Sequence, residues 1–171
     1  MKSQSLRKQI EISNCKLKEM EYRQRILIAL MKILNGPLVL NDAIKSILTV
    51  IKQETGLEAI GIRLCKGEDF PYYETKGFPE YFVKMENNLC SRDDAGNILR
   101  DKQGNPILEC MCGNVICGRT DTRYPFFTSG GSFWSNCTTK LLASTTDAER
   151  QTRTRNRCNG EGYESVALIQ L

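Results

Sequence analysis

The sequence predicts an α+β fold: helices packed on an antiparallel sheet, with a long helix leading into them. Three observations carry this. A clear 3.5-residue, mainly apolar period runs through the first 34 residues. A second helical period is then followed by short runs of alternating apolar residues. The strands and helices come in blocks, without the regular β-α-β alternation of a parallel sheet.

The first element is the clearest. Leu6, Ile10, Ser13, Leu17, Met20, Gln24, Leu27, Met31 and Leu34 are spaced alternately four and three residues apart, and seven of the nine are apolar. That is the seam of a coiled coil. Gln24 falls at an a position, where one polar residue sets register and oligomer state. Lys16 at g and Glu21 at the following e are placed to pair across a parallel dimer. From Ile26 to Leu34 the apolar face widens to include Ile28, Leu30 and Ile33, so the helix there is expected to pack on a domain. The alternative is an amphipathic helix lying on its own domain throughout. Residues 1–35 carry eight Lys/Arg and three acids, whereas the rest of the chain is close to neutral. The basic bias is therefore a helix surface and not the basic, aromatic-interleaved stripe of a nucleic-acid binder.

Asn35-Gly36-Pro37 ends this helix. Leu40, Ile44, Ile47, Leu48 and Ile51 recur at helical spacing, and Gly56 supplies a stop. Leu57, Ile60, Ile62 and Leu64 alternate in a β-rich run, and "DFPYYETKGF" reads as the next strand. "PEYFVKMENN" reads as a short helix with Pro79 at its first turn. A duplication follows, "RDDAGNIL" then "RDKQGNPIL". Both halves offer Asp followed by Gly-Asn, so they read as two consecutive turns, on a surface hairpin. Their acids do not have the spacing of a calcium loop. Gly130-Gly131 reads as a turn into the aromatic strand "SFWS". Capping spacings at Ser144–Asp147 and Thr146–Glu149 start a predicted helix that carries Arg150, Arg153, Arg155 and Arg157. Those arginines are either a solvated face or an anion contact. "VALIQL" reads as a buried final strand.

The composition narrows the function. Of 171 residues, 40% are hydrophobic and 26% charged, an ordinary globular balance. No apolar run is long enough to span a bilayer, and the polar N-terminus does not resemble a signal peptide. The expected compartment is the cytoplasm, where the eight cysteines stay reduced. With no histidine in the sequence, these residues cannot supply a histidine phosphoacceptor, Ser-His-Asp or Cys-His catalysis, or histidine-ligated metal.

"ILNGPLVLNDAIKSILTVIKQETGLEAIGIRL" resembles the opening of a GAF domain, the ligand-binding module of sensor proteins. "RNRCNGEGYESVALIQL" resembles the GAF segment that enters a central strand. "CMCGNVICGRT", "PFFTSGGSFWSN" and "TTKLLAS" resemble the middle of GAF domains found beside PAS domains in multi-domain sensor histidine kinases. The resemblance implies a six-stranded antiparallel sheet flanked by helices over residues 35–171, with a ligand pocket on one face. Residues 1–34 form the coiled-coil signalling helix. The family continues past the final apolar run into a further strand and an exit helix, so the domain is expected to lack those two elements. The implied function is a regulatory sensor of a two-component protein. It would bind a small molecule or sense redox state, and would form a homodimer through its N-terminal helix. Its output would go to a histidine kinase or other output domain outside these residues. It is expected to be non-catalytic, without nucleic acid and without a membrane span.

The candidate pocket residues are Cys110, Cys112, Cys117, Trp134 and Cys158. Cys110, Cys112 and Cys117 have C-x-C-x4-C spacing, which matches neither the usual zinc pairs nor the plant-type iron–sulfur pattern. Four readings stay open. The thiols could hold a metal, with Cys158 or Cys137 completing the set. The resemblance adds thiolate-attached haem. Cys112 and Cys158 could form a redox switch. Or the cysteines pack as small buried residues beside a pocket. The alternative function is accordingly a thiolate-ligated metal or haem redox sensor built on Cys110, Cys112, Cys117 and Cys158. Cys15 and Cys65 have no assigned role.

Overall fold

The computed structural model describes residues 2–171, with side chains from Arg7 onward, so Leu6 of the seam lies outside the described side chains. The element order is α1 (Lys2–Leu34), α2 (Leu40–Thr55), β1 (Ile60–Arg63), β2 (Tyr72–Lys76), α3 (Glu80–Glu86), α4 (Cys110–Ile116), β3 (Phe133–Ser135), α5 (Thr138–Ser144), α6 (Arg157–Gly160) and β4 (Val166–Leu168). The mixed α+β class and the long leading helix match the sequence reading. The sheet differs. β1 pairs with β2 and β3 with β4 in two separate two-stranded sheets, in place of the single six-stranded sheet that the resemblance implies. No helix among the described residues is long and apolar enough to cross a membrane.

The chain divides into two compact units. The first holds residues 1–62 and 72–79. Here α1, 33 residues and about 50 Å long, has two faces. Tyr22, Ile26, Ala29, Leu30 and Ile33 are half-buried on the stretch that packs on α2. The Tyr22 hydroxyl donates to the Glu54 carbonyl at 2.7 Å, and Arg25 pairs with Glu54 at 2.8 Å. The seam positions Ile10, Leu17, Met20, Leu27, Met31 and Leu34 are all exposed. Packing on a domain therefore does not replace the seam after Ile26, because the two use opposite faces; Ile28, expected to turn inward, is exposed. From Arg7 to Glu21 every side chain is exposed, so α1 lies on its own unit only from Tyr22 on. Gly56 closes α2 in the left-handed conformation, φ 71°, donating to the Lys52 carbonyl.

The second unit holds residues 63–71 and 80–171. Its main core is aromatic. Phe126, Phe127 and Phe133 pack with Met111 and Val115. The Phe126 and Phe127 rings lie 4.9 Å apart, and Tyr124 stacks on Phe126 at 5.4 Å. Such pairs add about 0.5–1.5 kcal/mol each beyond their burial. β3 and β4 border this core in antiparallel register, Phe133 opposite Leu168 and Ser135 opposite Val166. β4 is half-buried rather than buried, since Ala167 faces out and Ile169 is 68% exposed.

A second cluster of Leu89, Cys90 and Leu108 anchors the duplication. Each half closes its own loop in the same way. Asp93 accepts from the backbone of Ala95 and Asn97, and Asp101 from Gln103 and Asn105. The Arg92 and Arg100 guanidiniums reach the carbonyls of Gly96 and Gly104. The two turns are joined by a ring of three backbone bonds: Leu99 donates to Ser91, Ile107 to Leu99 and Ser91 to Ile107, each at 2.8 or 2.9 Å. The result is two stacked turns and not one hairpin.

The helix expected across residues 144–157 does not form. The Thr146–Glu149 cap does, with the Thr146 N–H donating to Glu149 at 2.7 Å and the Glu149 N–H to Thr146 Oγ1 at 3.3 Å. It supports a single turn. Gln151 then takes φ 59°, and the β-branched Thr152 and Thr154, poor helix formers, continue as irregular chain. The helices in this region are instead α5, just before it, and the short α6.

Candidate functional site

A cavity of about 80 Å³ lies within the second unit. α4 contributes Cys110, Met111 and Cys112 to its wall; β3 and β4 contribute Phe133, Val166 and Leu168; α5 contributes Thr138, Leu141 and Leu142. The polar lining comes from Glu86 at the end of α3, from Arg150, Thr154 and Asn156 of the irregular segment, and from Arg157, Cys158 and Asn159 of α6.

α4 reaches this position because of Gly113. A Cβ there would sit 2.8 Å from the backbone of Leu108, so only glycine lets the cysteine-bearing helix come this close. The next residue, Asn114, is 0% exposed and fully used. Its amide donates to the Arg150 carbonyl at 2.5 Å, and its oxygen accepts from Arg119 Nε at 2.9 Å. Arg119 also holds the Leu108 carbonyl at 2.7 Å. One buried amide thus ties α4 to the segment that carries the arginines.

Those arginines are not a solvated face. Arg150 is 6% exposed; its guanidinium donates to the Thr145 carbonyl and hydroxyl at 2.6 and 2.7 Å and pairs with Asp147 at 2.7 Å. Arg155 lies 3.5 Å from Glu109 and 3.7 Å from Glu86, and Arg157 lies 3.2 Å from Glu86. Glu86 is 5% exposed, so two guanidiniums compensate one buried carboxylate. Burial works against the charge on Arg155, but its contact with Cys110 and the carboxylates of Glu86 and Glu109 outweigh this and raise its pKa. Arg153 is exposed.

Among the predicted pocket residues, Cys110, Cys112 and Cys158 line the cavity together. Cys117 caps the C-terminus of α4 and is exposed, and Trp134 is 46% exposed. Neither is among the lining residues. Strand alternation explains the second case, since Phe133 points inward and Trp134 outward. Burial pushes the Cys112 thiol up to about 11 and the Cys158 thiol, which also faces Cys112, up to about 12. Both are neutral near pH 7, which is the inert form. Among the described residues, no group of three or more His, Cys, Asp or Glu side chains is placed to hold a metal ion. The cavity has about half the ~150 Å³ that holds a benzene ring, so it does not fit a porphyrin.

Cys110 and Asn156, two of the three non-glycine residues with positive φ among those described, also line the cavity. Such strain persists only where surrounding structure imposes it, and it gathers at functional sites. The sequence reading missed Glu86, Met111, Thr138, Leu141 and Thr154. They lie inside segments already singled out, but nothing in their residue types marked them as facing a cavity.

No protein-family model matches the chain, and no curated protein or solved structure matches it either.

Proposed function

We propose that the chain is a regulatory sensor module of the GAF type, belonging to a two-component signalling protein. It forms a homodimer through α1 and passes ligand state to a histidine kinase or other output domain outside these residues. The observation that carries this reading is the two-faced helix α1. One face is occupied by α2, while the opposite face presents a mainly apolar seam, interrupted at Ser13 and Gln24, to solvent. Exposed large apolar residues recurring at heptad spacing are costly unless a partner covers them. A second copy of the same helix fits, because Lys16 and Glu21 then face each other across a parallel seam and Gln24 meets Gln24. The cavity supports the sensor role as a partly open, mainly apolar site with a few convergent polar groups. The raised pKa values of Cys112 and Cys158 favour binding over nucleophilic catalysis by those two thiols. A ligand would act by stabilising one of two helix arrangements over the other.

The test is sedimentation of the full chain and of Leu27→Glu/Met31→Glu, which loads the exposed seam with charge and leaves the α2-facing side chains intact. The wild type should sediment as a dimer and the variant as a monomer with unchanged circular dichroism. Identical sedimentation of the two would defeat the proposal.

A further inference from the structure

We propose that the cavity binds a short-chain monocarboxylate, with its carboxylate on Arg150 and its alkyl chain against the aromatic core. This rests on reading the cavity as the module's ligand site.

The starting point is Arg150. Its side chain lines the cavity and is 7% exposed. Both terminal nitrogens are engaged, by Thr145 and Asp147. Its Nε is buried and has no hydrogen-bond partner among the described residues. A charged donor left this way is costly, and the chain does not compensate it. Thr154 also lines the cavity, and its buried hydroxyl interacts with the Asp147 carboxylate. The unmatched Nε–H calls for an acceptor, and a carboxylate oxygen makes a charge-assisted bond to it.

The charged groups of the lining are compatible with this. Two guanidiniums, Arg150 and Arg157, line the cavity against one carboxylate, Glu86. Glu86 is already matched by Arg157 at 3.2 Å and Arg155 at 3.7 Å. The Arg150 counter-ion, Asp147, is 58% exposed and is not part of the lining. With Asp147 on Arg150 and Glu109 on Arg155 the formal charges balance, so it is the unmatched Arg150 Nε–H that favours an anion here. The remaining wall is apolar: Met111, Phe133, Leu141, Leu142, Val166 and Leu168. A bare inorganic anion would leave that wall dry and uncontacted, whereas an alkyl chain fills it. The volume of about 80 Å³ suits a chain of roughly two to four carbons, being about half that of a ~150 Å³ cavity that holds benzene.

The experiment titrates the full chain with sodium acetate, propionate and butyrate at constant ionic strength, with sodium chloride and butyramide as controls. Methyl NMR shifts and Tm are the readouts. Saturable shifts in Met111 and Leu142 with a raised Tm are expected for propionate or butyrate, and none for chloride. Leu142→Phe, which fills the cavity without touching a polar group, should abolish the affinity. Butyramide binding as tightly as butyrate would overturn the anion assignment and leave the cavity as a site for neutral ligands. Absence of saturable binding by any of these compounds would overturn the assignment and the ligand-site reading together. The dimer test on α1 is unaffected by either result.

Discussion

The Arg155 backbone N–H donates to the Cys110 sulfur at 3.1 Å across 45 residues of sequence, while the Cys110 N–H donates to the carbonyl of Arg153 at 3.0 Å. Cys110 thereby clips the arginine segment to the start of α4, and it does so at φ 61°. A side chain there costs about 1–2 kcal/mol relative to a right-handed conformation, a cost that glycine avoids. Cys110→Ala and Cys110→Gly both lose the sulfur contact, but only the glycine relieves the strain. Urea denaturation should find Cys110→Gly more stable than Cys110→Ala by about 1 kcal/mol.

Asn114 is the buried amide between Arg150 and Arg119. Asn114→Leu preserves the volume but leaves a carbonyl and a charged donor without partners. A loss of about 3 kcal/mol is expected, read as a lower urea midpoint at unchanged slope. Asn114→Asp should be at least as harmful, because its second oxygen would face the Arg150 carbonyl with no proton to give.

The duplicated turns should behave as twins. Gly96 and Gly104 have φ 85° and 87°, and an added Cβ would meet no atom at either. The cost of alanine is then purely conformational. Gly96→Ala and Gly104→Ala should each lose about 1 kcal/mol or slightly more, by nearly the same amount. A large difference between them would mean that the two halves are not equivalent supports.

Glu164 docks the approach to β4 on the first turn of α5. Its carboxylate accepts from the Thr139 hydroxyl and, at 3.0 Å, from the Thr139 N–H. Those bonds, the Thr139 hydroxyl first, hold its pKa at about 2 against an ordinary 4.5. A depressed carboxylate stabilises the fold above its unfolded pKa and loses that contribution as pH falls through the folded value. Wild type should therefore exceed Glu164→Gln in stability above about pH 4.5, with the gap narrowing towards pH 2. A gap independent of pH would show that the carboxylate charge is not involved.

The parts of the molecule set by neighbours in sequence were legible. α1 and α2 follow from their apolar periods, the stop at Asn35-Gly36 from turn chemistry, and the twin loops from repeated Asp and Gly-Asn. The Thr146 cap was legible too, yet the helix it should have started was not realised. A cap contributes only about 1 kcal/mol, and beyond it the chain turns so that Arg150 meets Asn114 and Thr145. Cys110, Cys112 and Cys158 were legible as a group. Cys117 was not separable from them, because spacing does not say which side of a short helix is buried.

By itself the sequence determined the α+β class, the seam on α1, the turn positions and the absence of histidine chemistry. These rest on periodicity, local backbone preference and composition, each readable within a few residues. Only the tertiary structure decided that the seam stays bare while the opposite face packs, and that Gly113 brings the cysteines to a cavity wall. It also decided that Arg150, Arg155 and Arg157 turn to buried partners while Arg153 stays exposed. The reason is range: Arg155 bonds the carbonyl of Asn88 across 67 residues and Arg157 that of Met85 across 72. Pairings of that separation depend on how the whole unit closes, and no local pattern encodes them.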